Sequence, residues 1–282
     1  MAAPFPARIH VLLASQSPQA VVLRKGPANA VCTLLWDRSK DRFTLGQWMR
    51  GRIYERRSDL SADGKYLIYF ARGGGLKAPT KGSWTAISRA PWLRAIVLHG
   101  KGDCWLGGGL FTRPPQKRRP SKYWLNGACM HFPLQQAAEL AEDTDFVPLG
   151  GRGGECLSVY YPRLLRDGWT LVSKLSEVRF DSCDLFEKPL ANGWVLRKFA
   201  HAEVHPGPGK SCYWDEHEVE NARLGMRFEK PQWEWAERDG ATIVWAEKGR
   251  IYRAATLAKG LGEARMLFDG NGMKFEAIAA PY

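Results

Sequence analysis

Residues 55–75 read E-R-R-S-D-L-S-A-D-G-K-Y-L-I-Y-F-A-R-G-G-G. Asp63-Gly64 is a dipeptide that supplies the positive φ angles a tight turn requires. Behind it, Tyr66 to Phe70 is an unbroken aromatic and aliphatic run of strand-forming residues. Tyr66, Ile68 and Phe70 share one face of that strand by the two-residue period. Asp59 and Ser61 stand where short polar side chains hydrogen-bond the backbone of a turn. Gly73 to Gly75 lead into a loop through Lys77, Pro79 and Lys81. Most of the stretch therefore reads as strand, turn and strand.

The same phrase recurs. R-D-G-W-T-L-V-S-K starts at Arg166, A-N-G-W-V-L-R-K-F at Ala191 and R-D-G-A-T-I-V-W-A at Arg238. A second echo pairs G-R-I-Y-E-R (51–56) with G-R-I-Y-R-A (249–254). Short apolar or alternating runs between glycine turns fill the chain, among them A-V-V-L-R-K-G from Ala20 and T-I-V-W-A-E-K from Thr242. Helical periodicity is confined to Leu134–Glu142, after Pro133. This pattern predicts an all-β fold, and its repetition along the whole chain favours a β-propeller over a sandwich or barrel. Five or six blades can be counted, six fitting slightly better. D-L-S-A-D-G-K-Y-L-I-Y-F (59–70) resembles the D-x-S-P-D-G-K-x-I-x-F signature of TolB-type β-propeller repeats, with Ala62 where proline is usual. The resemblance implies a blade fold and a binding platform, and it carries no catalytic residue across.

The expected organisation is one propeller domain over residues 1–282. Residues 127–156 form an inter-blade insertion that is partly helical and holds Glu142, Asp143, Asp145 and G-G-R-G-G at 150–154. The N-terminal strand near His10–Ala14 would pair with the last blade and fasten the ring. A hydrophobic fraction of 45% and an aromatic fraction of 12% exclude a disordered chain. No apolar run approaches the ~18 residues of a membrane span, and no basic leader precedes a long apolar stretch. Six cysteines are scattered singly without C-x-x-C, which suits free thiols in a reducing compartment. A cytoplasmic protein, monomeric or weakly self-associating, is expected.

Net charge is +12, and all of the excess lies early. Residues 1–130 carry 22 Lys+Arg against 6 Asp+Glu, whereas residues 131–282 carry 19 against 23. That asymmetry points to an anionic partner, either nucleic acid or an acidic protein surface, or else to charge that serves only solubility.

Two basic clusters are candidate contacts. In W-M-R-G-R-I-Y-E-R-R, an extended chain puts Arg50, Arg52, Tyr54 and Arg56 on one face, with Glu55 on the other and Arg57 following. Three guanidiniums on one face repel unless an anion or a neighbour's carboxylates lie between them. In R-P-P-Q-K-R-R-P-S-K-Y-W, Arg113, Lys117, Arg118, Arg119 and Lys122 are placed to engage phosphates, and Tyr123 and Trp124 to stack on bases. The competing reading of that segment is a solvated loop before a strand.

Signals for chemistry are weaker. His201, His205, Cys212 and His217 have ligand chemistry without a recognised zinc spacing, so no metal is assigned. Glu216, Glu218 and Glu220 share a face of one strand, which a solvated edge explains as well as catalysis does. No G-x-S-x-G, Walker-type loop or other cofactor signature occurs, and no cofactor is expected. The leading expectation is a non-enzymatic binding or scaffold module for an anionic macromolecule. A hydrolase or lyase acting on an anionic substrate in the central channel is the alternative, its catalytic residues unknown.

Overall fold

In the computed structural model, described for residues 5–26, 29–113, 120–127, 130–134, 138–148, 156–178, 181–207 and 211–282, the chain is all-β with one α-helix among the described residues. The first sheet is a plain meander of β1 (Arg8–Leu13), β2 (Gln19–Lys25), β3 (Ala30–Asp37) and β4 (Arg42–Arg50). The second begins with β5 (Arg52–Leu60), β6 (Tyr66–Arg72), β7 (Ser83–Arg89) and β8 (Ala95–Gly100). The next strands alternate between sheets. β9 (Gly109–Arg113) and β10 (Ser121–Leu125) start a third sheet, β11 (Met130–Phe132) returns to β8, and β12 (Leu140–Glu142) pairs in parallel with β10. After α1 (Leu157–Arg166), β13 (Thr170–Val178), β14 (Asp181–Pro189), β15 (Val195–Ala202), β16 (Tyr213–Asn221) and β17 (Met226–Glu229) make a fourth sheet. The fifth holds β18 (Trp233–Asp239), β19 (Thr242–Glu247), β20 (Arg250–Leu257), β21 (Gly260–Leu261) and β22 (Arg265–Asp269).

Contacts divide the chain into two compact units. One comprises Met1–Phe5, Val11–Arg163 and Met273–Tyr282, and the other Pro6–His10 and Leu164–Gly272.

The stretch 55–75 explains why β6 is an inner strand of its sheet, between β5 and β7. Six consecutive residues, Tyr66 to Ala71, are buried, so both faces of the strand are covered. Leu67, Tyr69 and Ala71 pack with Leu23, Ile53 and Leu60, while Tyr66 and Ile68 pack with Phe111, Tyr123 and Leu140. Each leucine, isoleucine or phenylalanine among them contributes roughly 1.5–3 kcal/mol by leaving water. Ser61 and Asp63 tie the turn: Ser61 Oγ accepts from Tyr66 N–H at 2.9 Å and donates to Asp63 Oδ1 at 2.7 Å. Gly64 sits at φ +78°, and the Asp-Gly and Asn-Gly copies later in the chain repeat that positive φ. Asp59 reaches further than its own turn. It accepts from Leu60 N–H at 2.9 Å and, through Oδ2, from Phe111 N–H at 2.8 Å, which joins the second sheet to the third.

Two expectations change. Leu140–Glu142 is a strand rather than the end of a helix, because Leu140 buries its side chain against Tyr66 and Tyr123 while the backbone pairs with β10. Tertiary packing overrides local propensity there. The helix lies later, at α1, where Val159 and Tyr160 are fully buried. β1 pairs with β2 across a short turn instead of joining the last sheet. Its start is held by side chains, with Ala7 N–H donating to Asn271 Oδ1 and Ile9 N–H to Glu234 Oε2 at 2.7 Å. Of the expected 127–156 insertion, Met130–Phe132 and Leu140–Glu142 are strands of the second and third sheets, and residues 128–129, 135–137 and 149–155 lie outside the described part.

Candidate anion-binding site

β4 ends at Arg50 and β5 starts at Arg52, with only Gly51 between them. Gly51 has φ +135°, and a Cβ there would overlap the carbonyl oxygen of Arg72. Only glycine lets the two backbones approach so closely. Gly51 N–H also donates to Asn29 O at 2.7 Å. The junction brings the end of β4, the start of β5 and the end of β6 to one point and sets their side chains around a cleft of about 790 Å³.

The lining is cationic. Arg24, Arg50, Arg52, Arg72 and Lys274 all contribute, with Trp48, Tyr54 and Phe275 between them, and among the described residues none that lines it is acidic. The register of β5 and β6 puts Arg52 directly opposite Arg72. Like charges in that position destabilise a sheet. Arg50, Arg52, Arg72 and Lys274 are exposed, and among the described residues no carboxylate forms an ion pair with any of them.

Aromatic rings hold the guanidiniums in place. Arg50 lies over Phe275 at 5.1 Å from the ring centroid, Arg52 over Tyr54 at 6.0 Å and Arg24 over Trp48 at 5.4 Å. For the exposed Arg50 and Arg52, such stacking leaves the donor edges of the guanidinium turned toward an anion, whereas Arg24 donates to Gly26 O. Arg24 is 1% exposed, and burial lowers its basicity from the ordinary arginine value. Burial also pushes the adjacent Cys32 thiol up to about 12, with Arg24 pulling against it, so this cysteine is no nucleophile.

The sequence had grouped Arg56 and Arg57 with Arg50 and Arg52, and the structure separates them. Tyr54 pairs with Phe70 but Asp59 pairs with Ile68, so Glu55 to Ser58 bulge out of the ladder opposite Tyr69 alone. The two-residue period fails across a bulge of that size. Arg56 turns inward over the Tyr160 ring at 4.6 Å. Arg57, 1% exposed, donates from Nη1 to Cys104 O at 2.6 Å and to Leu106 O at 3.1 Å. Arg163 Nη1 donates to Glu55 O at 2.9 Å and to Ser58 O, which closes the bulge. Glu55 itself pairs with Lys25 at 2.6 Å.

The second basic segment is partly beyond the described residues, which exclude Lys117, Arg118 and Arg119. Arg113 is exposed at the end of β9, opposite Lys122 on β10. Lys122 reaches Asp143 at 3.3 Å, and Thr112 donates to the same carboxylate at 2.7 Å. The Thr112 hydrogen bond leads in holding Asp143 below the usual carboxylate value, with Lys122 adding to it. Tyr123 is buried in the core and Trp124 packs on Phe146 at 5.6 Å, so neither is set up to stack on a ligand.

The other candidates resolve into structure. His201 is in register with Trp214 and His217 with Lys198, which places the two histidines on opposite faces of the fourth sheet. His201 stacks on Trp214 at 4.3 Å, and His217 Nδ1 lies 3.1 Å from Trp233 O. Among the described residues no cluster of three His, Cys, Asp or Glu could hold a metal. Glu218 and Glu220 are bound by Arg197, and Arg227 adds a second contact to Glu218 at 2.7 Å. Cys183 lies 3.8 Å from His201 Nε2, but burial, with Asp184 next, pushes its thiol up to about 11.

Arg24, Arg72 and Lys274 were missed by the sequence reading. Arg72 closes the very stretch that seemed architectural, and only the β5–β6 register reveals its partner. No helix of the described residues is long and apolar enough to cross a membrane.

No protein-family model matches the chain, and no curated protein matches it. Among solved structures, the hydrazine synthase of Kuenenia stuttgartiensis aligns over 90% of this chain and 79% of that chain, with 7% identity and a TM-score of 0.33. A likeness of that size carries no argument about fold or chemistry.

Proposed function

We propose that the protein is a non-enzymatic binding module that takes an anionic partner into the cleft around Arg50, Arg52 and Arg72. The observation that carries this reading is the direct opposition of Arg52 and Arg72 in a cleft without an acidic wall. Two cations at about 4 Å repel by ~1 kcal/mol even in bulk water, and an anion between them reverses the sign. Arginine forks in pairs suit phosphate or carboxylate oxygens, which they bind through two parallel hydrogen bonds. The hydrolase or lyase alternative needs paired carboxylates beside these arginines, and the described lining residues include none.

Five successive sheets support a β-propeller of five rather than six blades, akin to the TolB-type repeats, as the scaffold. The basic N-terminal half would then be its partner-facing sector.

The reading is tested by titrating inorganic polyphosphate into the protein at low salt. Wild type binds, and Arg52→Glu, which supplies Arg72 with an internal counter-charge, weakens binding by about tenfold or more. Equal affinity in the two proteins would remove the cleft as the site.

A further inference from the structure

We infer that the anion is a single-stranded nucleic acid, its phosphates lying along Arg50, Arg52 and Arg72 and one base resting on Trp105. The inference rests on the anion-binding reading of the cleft and assigns its ligand.

Arg72 and Gly73 also line a second cavity of about 310 Å³, with Leu76, Lys81, Asp103 and Cys104. Arg72 therefore borders both spaces, and the cations of the two are spread over neighbouring hollows. That spread suits a chain of repeated charges better than one compact phosphate. The acid in the second cavity is countered, since Asp103 lies 3.9 Å from the Lys101 ammonium.

Trp105 follows Cys104, a lining residue of the second cavity, in the chain. Its side chain is 73% exposed, and among the described residues its ring has no aromatic or cationic neighbour. A lone exposed apolar residue is ordinary on a protein surface. What sets this one apart is how its loop is held. The buried Arg57 donates to the carbonyls of Cys104 and Leu106, the residues on either side of Trp105. Trp105 N–H donates to Asp103 Oδ1 at 3.0 Å, and Gly107 N–H to Asn126 O at 2.7 Å. The indole is thus presented by a pinned backbone. Arg57 acts as a positioning residue for it.

The aromatics that line the cleft are occupied. Phe275, Trp48 and Tyr54 each carry an arginine. They orient cations, and Trp105, just outside the lining of the second cavity, is the exposed ring left for stacking. A flat π-face beside a track of guanidiniums is the arrangement that holds single strands without reading sequence. A duplex hides its base faces within the stack and offers Trp105 nothing. An acidic peptide would use the arginines and leave the indole idle.

The experiment compares a labelled oligodeoxythymidylate of roughly twelve nucleotides with an abasic strand of the same backbone and with a duplex of the same length, over a salt series. The full chain is expected to bind the base-bearing strand ~10-fold more tightly than the abasic one, and the duplex more weakly than either single strand. With Arg50, Arg52, Arg72 and Lys274 each meeting one phosphate, log affinity should fall with log salt at a slope of roughly −3. Trp105→Ala should erase most of the gap between base-bearing and abasic strands, and Trp105→Tyr should restore part of it. Equal binding of the two strands by wild type, with polyphosphate still bound, overturns the nucleic-acid assignment and leaves the anion cleft standing. Failure to bind polyphosphate as well overturns the cleft reading itself.

Discussion

G-R-I-Y occurs twice, at 51–54 and at 249–252, and the two copies end in opposite electrostatic states. Both open on a positive-φ glycine and run into a strand, β5 in one case and β20 in the other. Arg250 of the later copy lies opposite Glu247 on one side and Asp269 on the other, with Nε 2.7 Å from Asp269 Oδ2. Arg52 of the earlier copy lies opposite Arg72. The pattern widens around each. Glu187, Arg197, Glu218 and Glu229 form one cross-strand row in the fourth sheet, where Arg197 pairs with Glu187 and Arg227 with Glu218. The row beside Arg52 and Arg72 continues to Ser83, without an acid. One motif thus serves architecture where its charge is answered from within. Where the answer is missing, it marks a site for something from outside.

If that contrast is right, removing a charge from the later sheets should cost stability. Asp215 and Lys198 are 3.7 Å apart with side chains only 5% and 2% exposed. Asp215→Ala takes this carboxylate away from a buried ammonium and should destabilise the fold by about 3 kcal/mol, read from urea unfolding. A loss below about 1 kcal/mol would mean that the internal pairs are as dispensable as surface ones.

The smaller effect lies at the Arg250 copy and depends on pH. Burial would raise the Asp269 carboxyl, but the hydrogen bonds from Arg250 and Asn271 hold it below its ordinary value. A carboxylate whose folded pKa is depressed gives stability that is fully present above the unfolded value of about 4 and fades as pH falls through the lower folded value. Asp269→Asn should therefore lower Tm slightly near neutrality and flatten the acid side of the curve below about pH 4. An unchanged acid slope would show that the Arg250 pair adds nothing.

The all-β class and the turn positions were legible in the sequence because they depend on neighbours a few residues apart. Asp63-Gly64, Asn192-Gly193 and the period of Tyr66 to Phe70 are local signals, and the structure follows them. Arg50 and Arg52 were legible for the same reason. Arg56 and Arg57 were misplaced because the bulge at 55–58 has no glycine or proline to announce it. It is imposed by Arg163 and by Asp59 reaching Phe111, contacts between residues distant in sequence. Arg72 and Lys274 needed register and a returning C-terminal segment, which Gln47 anchors at Ile278 O at 3.0 Å and the Tyr282 hydroxyl at Arg94 O at 2.6 Å. Leu140 was read as helical from its composition, whereas the packing against Tyr66 and Tyr123 that makes it a strand residue is not encoded locally.

The most direct test of the central claim is to measure Tm and polyphosphate affinity together in Arg72→Glu. The substitution turns the repulsive Arg52–Arg72 pair into an opposite-charge pair, worth about 0.5 kcal/mol to the sheet. The account predicts a higher Tm and a loss of most binding, because the cleft's charge has been answered from within. A lower Tm with binding intact would show that Arg72 serves the fold and that the anion sits elsewhere.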